Sequence, residues 1–412
     1  MNSDSFLGAE FFRSNRLRLR EVFSGTAPII ISGNYLQQKS SDTSYDFTQD
    51  SNFWYLTGID EPGLTLILDG DKEYLIVPSS NPVRSTFEGE LDKGELSKIS
   101  GIKTIYETGE GWRQIGRKIT KVKHVATIQP SPNYIESMVM FTSPAKAKTV
   151  EKIKEYNSEV DLIDLRKVLA SLRSVKQPIE LELMKKAISE SEKLYKLLEK
   201  KRDKVENENE LMAGITKALI LKNLQFAYTP IIASGKNALT LHYVKNNDVL
   251  DNKKLLLVDA GVKYQKYCAD ITRTVVSEPT KRQQAVYNAV IEVQEYAISL
   301  LKPGVLLQEY EEKVQNFMGE KLRELGLIKT ISKETVREFY PHSTSHFLGI
   351  DPHDVGDYSS PLSSGMVLTV EPGIYIKDEN IGVRIEDDVL ITDEGNEVLT
   401  KALIKDITKL AL

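Results

Sequence analysis

Two apolar segments of this chain each run directly into a carboxylate, and each is followed after a short return by another. Leu255-Leu256-Leu257-Val258 ends in Asp259, and Val367-Leu368-Thr369-Val370 ends in Glu371. The stretch Lys266–Val276 alternates, with Tyr267, Ala269 and Ile271 on one face and Cys268, Asp270 and Thr272 on the other. The midpoint between Asp259 and Asp270 falls at Tyr264–Gln265, so a simple hairpin would set the two aspartates opposite each other. The midpoint between Glu371 and Glu386 falls at Asp378–Glu379, which sets that pair opposite as well. Residues opposed across two strands have Cβ atoms ~4.5–5.5 Å apart, and like charges there are destabilising. Four such carboxylates would repel or take up protons, unless divalent cations supplied the matching charge. Taken singly, Asp259 in Asp259-Ala260-Gly261 could be a turn former, and Glu386 an exposed strand residue or a partner of Arg384.

The histidines point the same way. The chain has five, namely His124, His242, His342, His346 and His353, and three of them lie between positions 342 and 353 in a segment punctuated by Gly349, Pro352 and Gly356. In so histidine-poor a chain, that clustering suggests metal ligands or proton-transfer groups rather than a surface loop. Carboxylates are hard oxygen donors suited to Mn²⁺ or Mg²⁺, and a histidine widens the choice to Zn²⁺, Co²⁺ or Fe²⁺. A two-metal site polarises a carbonyl and makes water a nucleophile, which is the equipment for amide hydrolysis. Neither a Gly-x-Ser-x-Gly elbow nor a His-Glu-x-x-His helix occurs. The single cysteine, Cys268, cannot form an internal disulfide, and as a nucleophile it would need a positioned histidine.

At 412 residues the chain is too long for one core, and two domains are expected. The first reads as mixed α/β over 1–160. It has a helix over Phe11–Phe23, a strand over Ala27–Ser32, and a hairpin of Gly63–Leu68 with Tyr74–Pro78 around Asp69-Gly70-Asp71. A linker is expected over 161–176, and the second domain over 177–412. There, two helices (Pro178 to about Arg202 and Asn207–Asn223) precede the first strand pair, and two more (about 280–301 and 306–326) precede the second, at 366–376 and 382–392. Helix, helix, strand pair thus occurs twice, as an architectural repeat. A net charge of -5 leaves no basic footprint for nucleic acid. Without an apolar signal core or a ~20-residue apolar run, neither export nor a membrane partner is expected, and the cytoplasm is the expected compartment.

At the residues named above the sequence resembles the pita-bread metallopeptidase family, which includes methionine aminopeptidase, aminopeptidase P, prolidase and the metal-free creatinase. The resemblance is carried by Val258-Asp259-Ala260-Gly261, Ala269-Asp270-Ile271-Thr272-Arg273-Thr274, Ser345-His346-Phe347-Leu348-Gly349, Thr369-Val370-Glu371-Pro372-Gly373-Ile374-Tyr375 and Val383-Arg384-Ile385-Glu386-Asp387-Asp388. It covers about 174–412. Asp50-Ser51-Asn52-Phe53-Trp54-Tyr55-Leu56-Thr57-Gly58 likewise resembles the N-terminal domain of creatinase and aminopeptidase P, in which Trp54 could line a rim or sit in a core.

The resemblance implies an α/β (α+β) fold whose pita-bread domain has a pseudo-twofold repeat. It implies two divalent metal ions, Mn²⁺ first and Co²⁺ or Zn²⁺ as alternatives, held by Asp259, Asp270, His346, Glu371 and Glu386, with Asp270 and Glu386 bridging. Glu371 would also shuttle a proton, His353 and His242 would steady the tetrahedral intermediate, and His342 would line the proline pocket. Arg384 would lie near the substrate or steady Glu386, with Tyr228 and Tyr375 supporting the ligands. The one departure is Ser343, where many relatives have glycine. The implied activity is cleavage of an N-terminal residue from a following proline in peptide substrates, by a homodimer or homotetramer. The alternatives are a dipeptidase of the prolidase type, which uses the same ligands, and a non-catalytic interaction protein on the same fold.

Overall fold

A computed structural model describes residues 7–131 and 134–411. The chain divides into two compact units between Leu172 and Arg173. Among the described residues no helix is long and apolar enough to cross a membrane.

The first unit is built on a mixed six-stranded sheet in the order Ile105–Glu107, Lys72–Val77, Thr65–Asp69, Ile29–Ser32, His124–Thr127, Asp161–Asp164. Its centre is apolar because Ile30, Ile67, Ile76 and Val125 meet Ile115 and Ile119 of the Thr108–Ile119 helix. The expected hairpin forms with Asp69 opposite Lys72, and Gly70 takes the left-handed conformation in its turn (φ 55°). The Ser51–Thr57 helix starts where the Asp50 side chain accepts hydrogen bonds from the Asn52 and Phe53 amides. It ends at Gly58, also left-handed (φ 70°), where a Cβ would lie 2.3 Å from the Phe12 ring. Trp54 is buried edge-on against Phe12 as a core residue.

The stretch expected as a linker over 161–176 is regular structure instead. Asp161–Asp164 adds a parallel edge strand to His124–Thr127, and Arg166–Ser174 is helical. A four-residue strand flanked by aspartates carries too little apolar pattern to read from sequence.

In the second unit the four expected helices run over Pro178–Lys201, Glu208–Ile220, Lys281–Leu300 and Leu307–Glu324. Pro178 stands in the first turn, behind a capping box of Gln177 and Glu180. The first helix pair packs Ala187, Leu194, Leu211 and Ile215 onto Val258, Val262 and Ile271. The second pair packs Val286, Val290, Val314 and Met318 onto Leu368, Val370, Ile374 and Val389. Each repeat therefore has its own core.

Both hairpins are interrupted at the carboxylates. In the first, Leu256–Asp259 pairs with Thr272–Val275, and Val262–Tyr264 with Tyr267–Cys268. In the second, Val367–Val370 pairs with Asp387–Ile391, and Gly373–Ile376 with Ile381–Arg384. The second follows the expected register, since Val370 opposite Asp387 and Gly373 opposite Arg384 bracket Glu371 and Glu386 symmetrically. The first does not. Asp259 lies opposite Thr272, two residues beyond Asp270, because the chain turns at Gln265-Lys266 rather than Tyr264-Gln265. Both turn residues are left-handed (φ 45° and 75°) without being glycine, so no local signal marked the turn.

Gly261 occupies the first interruption. A Cβ there would lie 1.8 Å from the Ala269 carbonyl oxygen, a backbone atom that cannot step aside cheaply. Gly261→Ala is therefore expected to destabilise the protein by at least about 1–3 kcal/mol, read as a lower thermal midpoint. An unchanged midpoint would show that the hairpin yields there.

Candidate metal centre

The two hairpins cross at Thr272 and Glu386. The Glu386 amide donates to the Thr272 carbonyl (3.0 Å), the Arg384 amide donates to the Thr274 hydroxyl (3.2 Å), and that hydroxyl donates to the Arg384 carbonyl (2.9 Å). The histidine segment joins as an edge to Val367–Glu371. Thr369 N donates to the His346 carbonyl and Glu371 N to the Thr344 carbonyl, both at 2.9 Å. Residues from three distant parts of the chain thereby reach one place.

There Asp270, His346 and Glu386 each offer a donor atom, all within 4.8 Å of one another. His346 Nε2 lies 3.7 Å from Asp270 Oδ2 and 3.4 Å from Glu371 Oε1. Its Nδ1 is 3.1 Å from the Phe347 carbonyl, which can only accept, so Nδ1 carries the proton and the Nε2 lone pair faces the carboxylates. Burial and the neighbouring His353 hold His346 down to about 4, so the ring is neutral at pH 7. Burial, reinforced by Asp259 and Asp388, pushes Asp270 well above the usual carboxylate range. Glu371 rises through burial and Glu386, and Glu386 through burial, Asp270 and Asp259. A crowded set of carboxylates beside one neutral imidazole is a donor set that fits divalent cations.

Asp259 is engaged on both oxygens. Tyr228 donates to Oδ1 (2.5 Å) and Arg384 to Oδ2 (2.6 Å). Arg384 also donates to the Thr272 hydroxyl (3.2 Å) and the Tyr375 hydroxyl (3.1 Å), so it binds Asp259 and two neighbours rather than Glu386. His342 Nδ1 faces the Ser343 carbonyl at 3.0 Å, which leaves Nε2 to accept from the Tyr375 hydroxyl at 2.9 Å. Its ring meets those of Tyr340 and Tyr375 edge to face, and burial holds it down to about 3. His353 is exposed and stacks on His346, with ring centroids 4.1 Å apart and planes within 11°. His242 is exposed, and its charge would depress both His342 and His353.

Cys268 is outside this chemistry. It is fully buried, its Sγ lies 3.3 Å from the Ile350 carbonyl, and burial pushes the thiol far up. A groove of about 1160 Å³ elsewhere on this unit holds none of the predicted residues, and its walls include the pairs Lys254–Asp251 and Arg282–Glu379.

Three supports were not foreseen. The Thr272 hydroxyl donates to Glu386 Oε2 (2.7 Å). Asp388, fully buried, accepts from the Asp270 amide on both oxygens (3.3 Å each). Thr272 and Asp388 each stand two residues past a predicted ligand, on the same strand face, and that period could have exposed them. The third support is distant. Glu208, also buried, accepts from Ser234 N (2.7 Å), Asn237 Nδ2 (3.0 Å), the Tyr243 hydroxyl (2.8 Å) and Asp248 N (2.9 Å). One carboxylate thus organises the irregular segment that carries His242.

The geometry can be set beside known proteins. Residues 182–393 match the model of metallopeptidase family M24, and residues 12–127 match the aminopeptidase P N-terminal domain. The Xaa-Pro aminopeptidase of Haemophilus influenzae is 30% identical, over 97% of this chain and 96% of that protein. Intermediate cleaving peptidase 55 of Saccharomyces cerevisiae is also 30% identical, over 97% of this chain and 83% of that protein. The solved structure of aminopeptidase P from Escherichia coli superposes with a TM-score of 0.83 at 29% identity, covering 98% of this chain and 97% of that one. The chain therefore belongs to metallopeptidase family M24 and carries the aminopeptidase P N-terminal domain ahead of the family's fold.

Proposed function

We propose that this protein is a divalent-metal-dependent exopeptidase that hydrolyses the bond between an N-terminal residue and a following proline. The observation that carries the reading is the convergence of Asp270, His346 and Glu386, with Glu371 beside them, in a chain similar along its length to Xaa-Pro aminopeptidases. Asp259, Asp270, His346, Glu371 and Glu386 would hold two ions. Mn²⁺ suits so carboxylate-rich a set best, with Co²⁺ and Zn²⁺ as alternatives. When bound, such ions supply Lewis acidity, polarising the scissile carbonyl and making water nucleophilic near neutral pH.

The chain's own residues do the remainder. Glu371, whose raised affinity for a proton comes from burial and Glu386, takes a proton from the attacking water and delivers it to the leaving nitrogen. The leaving nitrogen of any cleaved amide must gain a proton, and because the bond before proline is a tertiary amide without N–H, no acceptor need await one from the substrate. His353 and His242, both solvent-facing, donate hydrogen bonds to the oxygen that becomes negative. His342, held between Tyr340 and Tyr375, gives the proline ring an apolar, edge-lined wall. Arg384 holds the Asp259 carboxylate in place through its hydrogen bond to Oδ2.

Three outcomes follow. Protein stripped of metal and reloaded with Mn²⁺ should cleave Xaa-Pro-Xaa tripeptides and longer peptides; cleavage of the Xaa-Pro dipeptide alone would make it a dipeptidase instead, and no cleavage with Mn²⁺, Co²⁺ or Zn²⁺ would refute the reading. Glu371→Gln should lower kcat by roughly 10²–10⁴-fold, and near-wild-type turnover would remove Glu371 from its role. Glu208→Gln places a donor among four donors, so kcat/KM should fall through the displaced His242 while Mn²⁺ affinity, measured by calorimetry, stays unchanged. Weakened Mn²⁺ binding in that variant would mean that Glu208 supports more than the His242 segment.

A further inference from the structure

Resting on the metal-site reading, we infer that Gln294 is a positioning residue for Glu371 and Glu386, replacing a backbone donor that Pro372 removes. In the Glu hairpin, Pro372 stands opposite Ile385, between the strand segments on either side. The Ile385 amide donates to the Pro372 carbonyl (3.3 Å). In an ordinary antiparallel pair the return bond would run from residue 372 to the Ile385 carbonyl. Proline has no N–H, so that bond cannot form. The carbonyl is buried within a residue of 0% exposure and requires a donor from elsewhere.

Gln294 supplies it. From the middle of the Lys281–Leu300 helix, its Nε2 lies 3.2 Å from the Ile385 carbonyl and 3.0 Å from the Val370 carbonyl. The same nitrogen lies 3.1 Å from Asp387 Oδ2. All three partners only accept, which fixes the amide with its nitrogen inward. Val370 and Ile385 are the residues immediately before Glu371 and Glu386. One side chain therefore ties together the two peptide groups that lead into the two glutamates. Asp387 is itself held by Arg273 (2.6 Å), Lys405 (2.8 Å) and Thr400 (2.7 Å), so Gln294 is braced against a fixed carboxylate. Gln294 is fully buried, and it acts by holding the spacing of Glu371 and Glu386.

The test compares three variants with wild type. Gln294→Met keeps the length and loses the donor. Asn396→Leu removes another side-chain amide that bridges two carbonyls, those of Ile298 and Leu301 (2.8 and 2.9 Å), at the far end of the same helix. Gln294→Met with Pro372→Ala restores an N–H at position 372. Gln294→Met is expected to weaken Mn²⁺ binding, measured by calorimetry, by roughly 10–100-fold, and to lower kcat more than it raises KM. Asn396→Leu should lower the thermal midpoint while leaving Mn²⁺ affinity unchanged. The double variant should recover part of the lost affinity. Thermal unfolding of the metal-free proteins reads the hydrogen bond apart from the metal: Gln294→Met should lower the midpoint and Pro372→Ala should restore part of it. That arm remains decisive even if wild type binds no Mn²⁺, an outcome that would sink the metal reading instead. Where Gln294→Met does not fold, Gln294→Leu, which also lacks the donor and adds no charge beside Asp387, takes its place. Wild-type Mn²⁺ affinity in Gln294→Met, an equal loss in Asn396→Leu, or no recovery in the double variant would overturn the inference.

Discussion

Carboxylates packed together out of water repel one another, and the second unit is organised around holding several of them in that state. Asp270 and Glu386 are nearly inaccessible, and burial together with neighbouring acids raises both, as it raises Glu371. No local preference of the chain favours this arrangement. It persists because two separately packed cores press the hairpins into contact, so that the cost is carried by apolar burial on both sides. Divalent cations held by Asp270, His346 and Glu386 would offset that repulsion and would supply the Lewis acidity that polarises a carbonyl.

The surroundings of the acids are built to limit that cost without filling the place of the cations. Arg384 pairs with Asp259 and its charge also lowers Glu386, which in addition accepts from the Thr272 hydroxyl. Arg273 and Asp387, both buried, form a second charge pair just behind Glu386, with Arg273 also donating to the Glu386 carbonyl (2.6 Å). Removing one member of a buried pair of this kind costs about 3–5 kcal/mol, since the other is left uncompensated. Beneath the histidine segment, Asp354 is paired with the buried Arg173 and Lys176 and fixes the backbone next to His353. The interruptions of the hairpins are the natural outcome: ligand-bearing backbone leaves the ladder to bond to the neighbouring hairpin or the histidine segment, and side chains such as Gln294 fill the bonds left open.

Much of this architecture was legible in the sequence because it rests on period and punctuation. The four long helices follow from apolar spacing and caps, and the opposition of Glu371 and Glu386 follows from a loop placed symmetrically between them. The aspartate pairing is displaced by two residues because the turn moves one position along, to Gln265-Lys266, in a conformation that neither residue advertises. The edge strand Asp161–Asp164 was missed for its brevity. Arg384, expected near the substrate or steadying Glu386, does lower Glu386 by its charge, but its hydrogen bond goes to Asp259, 125 residues away in sequence. Glu208 and Gln294 were out of reach for the same reason. Their partners are set by tertiary packing, and an isolated Glu or Gln on a helix reads as a solvated surface residue.

Thermal unfolding of metal-free protein across a series of Mn²⁺ concentrations tests the cation requirement most directly. If the carboxylate cluster is a cation site of the folded state, the midpoint rises steadily with Mn²⁺, reaching about 2.7 kcal/mol of added stability at a hundred times Kd. A midpoint that stays level from metal-free to millimolar Mn²⁺, with the protein folded throughout, would contradict it.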